Sequence, residues 1–130
     1  MAAVLTHTGE EWVTHRLAED ANATYDIPMS HIGLGTGTTA EAKTQTALTT
    51  EITDGTPARG TVTISVTGST DTAKYQAAGA AITADTTYAI TEAGLFTASS
   101  AGVMAIRATF AAVNMSANDT LAVTFTIDPS

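Results

Sequence analysis

The chain contains no cysteine, which removes disulfides, thiolate chemistry and cysteine-ligated zinc and leaves packing or a partner subunit to supply stability. Cations are also scarce: five Lys plus Arg stand against thirteen Asp plus Glu, a formal net charge of −8. A polyanion is bound by cations that displace its counterions, so this balance argues against a nucleic-acid partner. The same acidic excess fits a protein working in high salt. Aromatic residues make up only 5% of the chain. No apolar run approaches the roughly 20 residues that span a bilayer, and the first residues lack the basic start and long apolar core of a signal peptide. The expectation is one soluble domain over residues 1–130, made in the cytoplasm and without a membrane partner.

Against these absences stands a clear alternation. Met104, Ile106, Ala108 and Phe110, and then Leu121, Val123, Phe125 and Ile127, alternate with Arg107, Thr109, Thr120, Thr124 and Thr126. Period two means strands with one buried and one wet face. The turn-forming segment Asn114-Met115-Ser116-Ala117-Asn118-Asp119 between them predicts antiparallel neighbours. Further strands are expected at Met29–Leu34, Arg59–Thr67 with Val62, Ile64 and Val66 inward, Lys74–Thr83 and Thr87–Phe96. Turns at Gly68–Asp71, Ala84–Thr86 and Ala98–Gly102 separate them, and Gly94 marks a bulge or a close backbone approach.

At the N-terminal end, Thr8-Gly9-Glu10-Glu11 has capping-box spacing and predicts a helix over about 9–19, with Val13 and Leu17 on the docking face and Trp12 beside them. The stretch from Ala40 to Thr56 is polar, with only Leu48 and Ile52 as anchors, and reads as a long excursion rather than a packed element. The fold class is therefore all-β: an antiparallel β-sandwich or jelly-roll-like domain over about 29–128 with a short N-terminal α-helix.

Candidate chemistry is thin. Gly33-Leu34-Gly35-Thr36-Gly37 has glycines at loop spacing but neither the G-x-G-x-x-G nor the Gly-Lys-Ser/Thr pattern of a nucleotide loop, so a turn is expected. His7, His15 and His31 lack metal-ligand spacing, and Asp71, Asp85 and Asp119 sit at turns where carboxylates bond local amides. No serine lies in a nucleophile elbow, and Glu10-Glu11 and Glu19-Asp20 belong on a solvated helix. The triplets at Asn22, Asn114 and Asn118 match a glycosylation pattern, and turn chemistry explains them equally. Glu92 and Arg107 fall on adjacent strands, where an exposed cross-strand pair contributes under ~1 kcal/mol. No catalytic, cofactor-binding or metal-ligating residues are assigned.

Ile90-Thr91-Glu92-Ala93-Gly94-Leu95-Phe96, Ala98–Gly102 and Arg107-Ala108-Thr109-Phe110, with His31–Thr39 upstream and Asp119–Ile127 at the end, resemble a family of small structural proteins of tailed bacteriophages and related archaeal viruses. With the helix containing Trp12, the likeness spans nearly the whole chain. The resemblance implies a virion β-sandwich with no enzymatic activity, located in the virion after synthesis in the host cytoplasm. Its expected role is a capsid decoration or cement protein on the head. Its expected partners are the major capsid protein or other virion subunits, with a homo-oligomer in the particle. A tail, neck or fibre-associated protein and a glycan-binding β-sandwich are the alternatives.

Overall fold

The computed structural model describes residues 2–53, 58–68 and 73–129. In chain order its elements are β1 (Ala2–Leu5), α1 (His7–Ala18), β2 (His31–Gly35), β3 (Gly60–Thr67), β4 (Lys74–Gly79), β5 (Ile82–Thr83), β6 (Tyr88–Phe96), β7 (Met104–Met115), β8 (Thr120–Leu121) and β9 (Thr124–Ile127). Seven strands form one antiparallel sheet in the order β1-β7-β6-β2-β3-β4-β9, curled as a half-barrel, while β5 and β8 pair separately. This is the all-β fold with a short N-terminal helix that the alternation predicts.

The curl is made at β3. Gly60 and Thr61 pair with Ile32 and His31 of β2, and Val62 to Thr67 pair with β4. The strand thus joins the β1-β7-β6-β2 half of the sheet to the β4-β9 half. Side chains from both halves meet in one core: Ile32, Leu34, Ile90, Leu95 and Ile106 from the first, Ala77 and Phe125 from the second. Connectivity departs from expectation at one point. β7 and β9, read as neighbours from the turn between them, lie apart: β7 pairs with β1 and β6, and β9 pairs with β4. The intervening residues make their own short strand, β8, against β5 and so carry the chain across to the far edge.

Alternation also misjudges what covers each face. On β3, Val62 is half-buried, but Ile64 is 39% and Val66 73% exposed, because burial fades along the strand. On β6 and β7 the reverse holds, and consecutive residues from Met104 to Ala108 are all buried. Both faces of these central strands are covered. Gly94 proves to be a close approach: a Cβ there would crowd Phe96, Leu48 and Met104, and the register shifts of β6 fall on either side of it. The turn expected at Gly68–Asp71 lies, apart from Gly68, outside the described residues.

The helix starts two residues earlier than the capping box suggests. Thr6, not Thr8, is the N-cap: its Oγ1 accepts from Gly9 N at 2.9 Å and donates to Met104 O at 2.6 Å. Thr8 is drawn off instead, donating to the same carbonyl. Thr6 is favoured because one hydroxyl both satisfies a free helix amide and ties the helix to β7. The helix closes after Ala18, with Glu19 in the left-handed region at φ 51°. Its docking face centres on Gly9 and Trp12, and a Cβ on Gly9 would overlap the Ala105 carbonyl. Leu17, expected on that face, is 80% exposed.

Phe125 lies in register with Ala77 at the centre of the second half of the core. Phe125→Ala is expected to lower stability by about 3–5 kcal/mol through lost burial and a cavity. Chemical denaturation reads this as a lower urea midpoint, and an unchanged midpoint would contradict its place in the core.

Candidate functional site

On the face of β2, β6 and β7 opposite the core, small residues line up. Gly35 stands opposite Glu92, Gly33 opposite Gly94, and Gly94 opposite Arg107. The three glycines leave a trough beside two charged side chains that are diagonal neighbours across β6 and β7. Both charges are fully buried, at 0% exposure. Arg107 Nη2 and Nε donate to Glu92 Oε2 at 2.6 and 3.0 Å. The two residues pair across their strands, and Arg107, which the alternation places on a wet face, is buried.

What buries it is the segment expected to be an unpacked excursion. Thr50 N donates to Glu92 Oε1 at 2.8 Å, Thr49 N and Oγ1 donate to Oε2 at 3.1 Å each, and Gly37 N donates to Oε1 at 3.3 Å. Arg107 Nη1 donates to Gln45 Oε1 at 3.0 Å and Nη2 to the Thr39 carbonyl at 2.9 Å. Leu48 packs on Phe96 and Met104, and Ile52 N donates to Leu34 O at 3.0 Å. Residues 36–53 thus form an ordered lid, while residues 54–56 of the expected excursion lie outside the described residues. Few apolar anchors were needed because polar bonds to one ion pair do the ordering.

The glycine run belongs to the same arrangement. Gly33 and Gly35 are strand residues, and a Cβ on Gly35 or Gly37 would overlap the Glu92 carboxylate or Thr49. The run cradles an anion, and the anion is the chain's own. Burial pushes the Glu92 carboxyl upward, but the Thr50 amide, Arg107 and the Thr49 amide outweigh it and hold it below its ordinary value.

A second joint was not visible in the sequence. Arg59 Nε and Nη2 donate to Glu51 at 2.7 and 3.0 Å, and Nη1 donates to the carbonyls of Ala98 and Ala101 at 2.9 and 2.8 Å. Its guanidinium carbon lies 3.5 Å from the Phe96 ring centroid. Arg59 thereby ties the end of the lid to the β6–β7 turn. Nothing local marks Arg59 for this role, since its partners are distant in sequence.

The remaining candidates are dispersed. His7 meets Glu10, His15 meets Asp20 and stacks on Tyr25, and His31 meets Ser30. Asp85 accepts from Tyr88, Asp119 accepts from Ser116 N, and Asn22 accepts from Thr24 N and Tyr25 N. Asp71 lies outside the described residues. Among the described residues, no three His, Cys, Asp or Glu side chains converge as a metal-holding group. No described helix is long and apolar enough to cross a membrane.

An open groove of about 520 Å³ lies between the helix and the uncovered end of the β3-β4-β9 half-sheet. Trp12, Val13 and Leu17 line one side, and Ile64, Tyr75 and Ile127 the other. Trp12 and Tyr75 meet edge to face at 5.7 Å, and Trp12 Nε1 donates to Ile27 O at 2.7 Å. The Tyr75 hydroxyl is buried without a hydrogen-bond partner, and burial pushes its pKa up to about 12. Compared with protein-family models and with curated protein sequences, the chain matches none.

Glu92→Gln is expected to lower stability by about 3–5 kcal/mol at neutral pH, because Arg107 is left buried without a countercharge. The folded carboxyl titrates below its unfolded value, so its contribution is present above the ordinary carboxylate range and fades as pH falls through the folded pKa. The stability difference between parent and variant should therefore shrink on acidification below about pH 4.5. A difference independent of pH would show that the charge is not what matters.

Excising Thr44–Thr53 removes Gln45 and the Thr49 and Thr50 donors together, and circular dichroism should report loss of the fold rather than a trimmed domain. A native-like melt would show that the lid is dispensable.

Proposed function

We propose that this protein is a non-enzymatic virion structural protein, acting as a capsid decoration or cement subunit on a tailed-virus head. The observation that carries the reading is what the residues of the viral resemblance do. Glu92, Gly94, Phe96 and Arg107 form the joint between strands and lid, so the shared pattern is a framework pattern. The guanidinium, carboxylate and amides at that joint are bonded to one another. The acidic balance of −8 suits a subunit that stays dispersed before assembly.

Partners in this reading are the major capsid protein or other virion subunits, with copies of the protein repeated by the symmetry of the shell. The glycan-binding alternative calls for exposed aromatic faces. Trp12 is buried, Tyr25 stacks on His15, and Tyr75 packs against Trp12.

Quantitative mass spectrometry of purified particles should find the protein in a copy number comparable to that of the shell subunit. Immunogold labelling should decorate heads. A handful of copies per particle, or label confined to tails, would replace the head assignment with the tail, neck or fibre alternative.

A further inference from the structure

The strand registers place a tyrosine where the core gives out. Ile64, Ala77 and Phe125 form one row across β3, β4 and β9, and Ala77 and Phe125 belong to the core. Two residues further along each strand, on the same face, the next row is Val66, Tyr75 and Ile127. Val66 is 73% exposed, whereas the hydroxyl of Tyr75 is buried and has no partner among the described residues. An O–H shut away from water without an acceptor is costly, and it calls for an acceptor from outside the chain.

The groove that Tyr75 lines indicates what brings that acceptor. Its volume of about 520 Å³ falls within the range of small-ligand sites, roughly 300–1,000 Å³. The walls are aliphatic and aromatic, and only Trp12, Arg16 and Tyr75 bring polar side-chain atoms to them. Trp12 Nε1 is already spent on Ile27 O at 2.7 Å. Arg16 is the single charged residue of the lining, and among the described residues its guanidinium is held by Asp26 alone, through Nη1 at 2.9 Å. A guanidinium carries five N–H donors, so those on Nε and Nη2 stay open. Arg16 is also near enough to the Tyr75 hydroxyl for its charge to pull that pKa down against the effect of burial. Two open donors therefore stand together in an otherwise apolar cleft.

We infer that this groove binds a free single-chain carboxylate of the fatty-acid class, its head on Arg16 and the Tyr75 hydroxyl and its alkyl chain between Leu17 and Ile64. An extended peptide is the poorer fit, since every residue brings an amide and a carbonyl that apolar walls leave unmet. An alkyl chain brings neither, and it gains by covering Leu17, 80% exposed, and Ile64, 39% exposed. The head reaches the hydroxyl after a small shift of the Tyr75 ring or of Arg16, whose side chain is 42% exposed. The chain's net charge of −8 acts on an anion from a distance and is screened over about 8 Å at physiological salt, so direct contact with Arg16 decides. This site is independent of the capsid reading, and its failure would leave that reading untouched.

The test uses the full chain and decanoate below its micelle concentration, with methyl decanoate and decyltrimethylammonium as neutral and cationic counterparts of the same chain length. Trp12 is the single tryptophan, lines the groove and meets Tyr75 edge to face at 5.7 Å, so its fluorescence reports occupancy. Decanoate is expected to give a saturable change, with affinity at least about tenfold above that of either counterpart, the ratio equivalent to ~1.4 kcal/mol. Arg16→Gln should bring decanoate down to the affinity of the ester with little change in melting temperature, because the pair it loses with Asp26 is solvated. Tyr75→Phe should also weaken decanoate binding while the melting temperature holds or rises, since the hydroxyl it removes has no partner.

Equal affinity for decanoate and its ester, decanoate binding untouched by Arg16→Gln, or no saturable change up to millimolar decanoate would each overturn the inference. So would a lowered melting temperature in Tyr75→Phe with decanoate affinity unchanged, since the hydroxyl would then serve the fold alone. Concentration-dependent self-association in sedimentation, with the groove closed to decanoate, would overturn it in favour of a second copy as the occupant.

Discussion

A carboxylate and a guanidinium can leave water together only when nearly every lone pair and proton they carry finds a partner, because desolvation of each ion costs several kcal/mol. Glu92 and Arg107 meet that condition by recruiting a segment about forty to seventy residues away in sequence: Gly37, Thr39, Gln45, Thr49 and Thr50 all bond to the pair. Much else follows from this. Gly35 at the end of β2 and Gly37 just beyond it must stay small to admit the carboxylate, and the central strands become buried on both faces. A polar, Thr-rich stretch acquires one conformation. Charge-assisted bonds supply the order that a larger apolar lid would otherwise provide.

The arrangement also divides the molecule by purpose. On the lid side the polar groups of the joint are turned inward and matched, including those of Arg59 and Glu51 beneath the β6–β7 turn. On the other side the half-barrel stays open, with an apolar groove beside β9, the end strand of the sheet among the described strands.

The alternation of β3, β7 and β9 was readable because side-chain direction along an extended backbone is a local property. The helix was readable to within two residues, and the pairing of Glu92 with Arg107 was available from neighbouring strands. Alternation also identified Phe125 as a core residue, and the lone Gly94 correctly signalled a close backbone approach.

What the chain's own order of residues determined was the class of structure: an antiparallel β domain with a short leading helix, low in cations and held together without disulfides. What only the tertiary structure decided was which faces are covered and by what. Arg107 and Val66 occupy strand positions that a period-two reading assigns to the wet and the buried side, and each is found on the other. Periodicity says which side chains share a face. Whether that face meets a lid, a helix or water depends on segments far along the chain, brought there by hydrogen bonds whose two ends no local window contains.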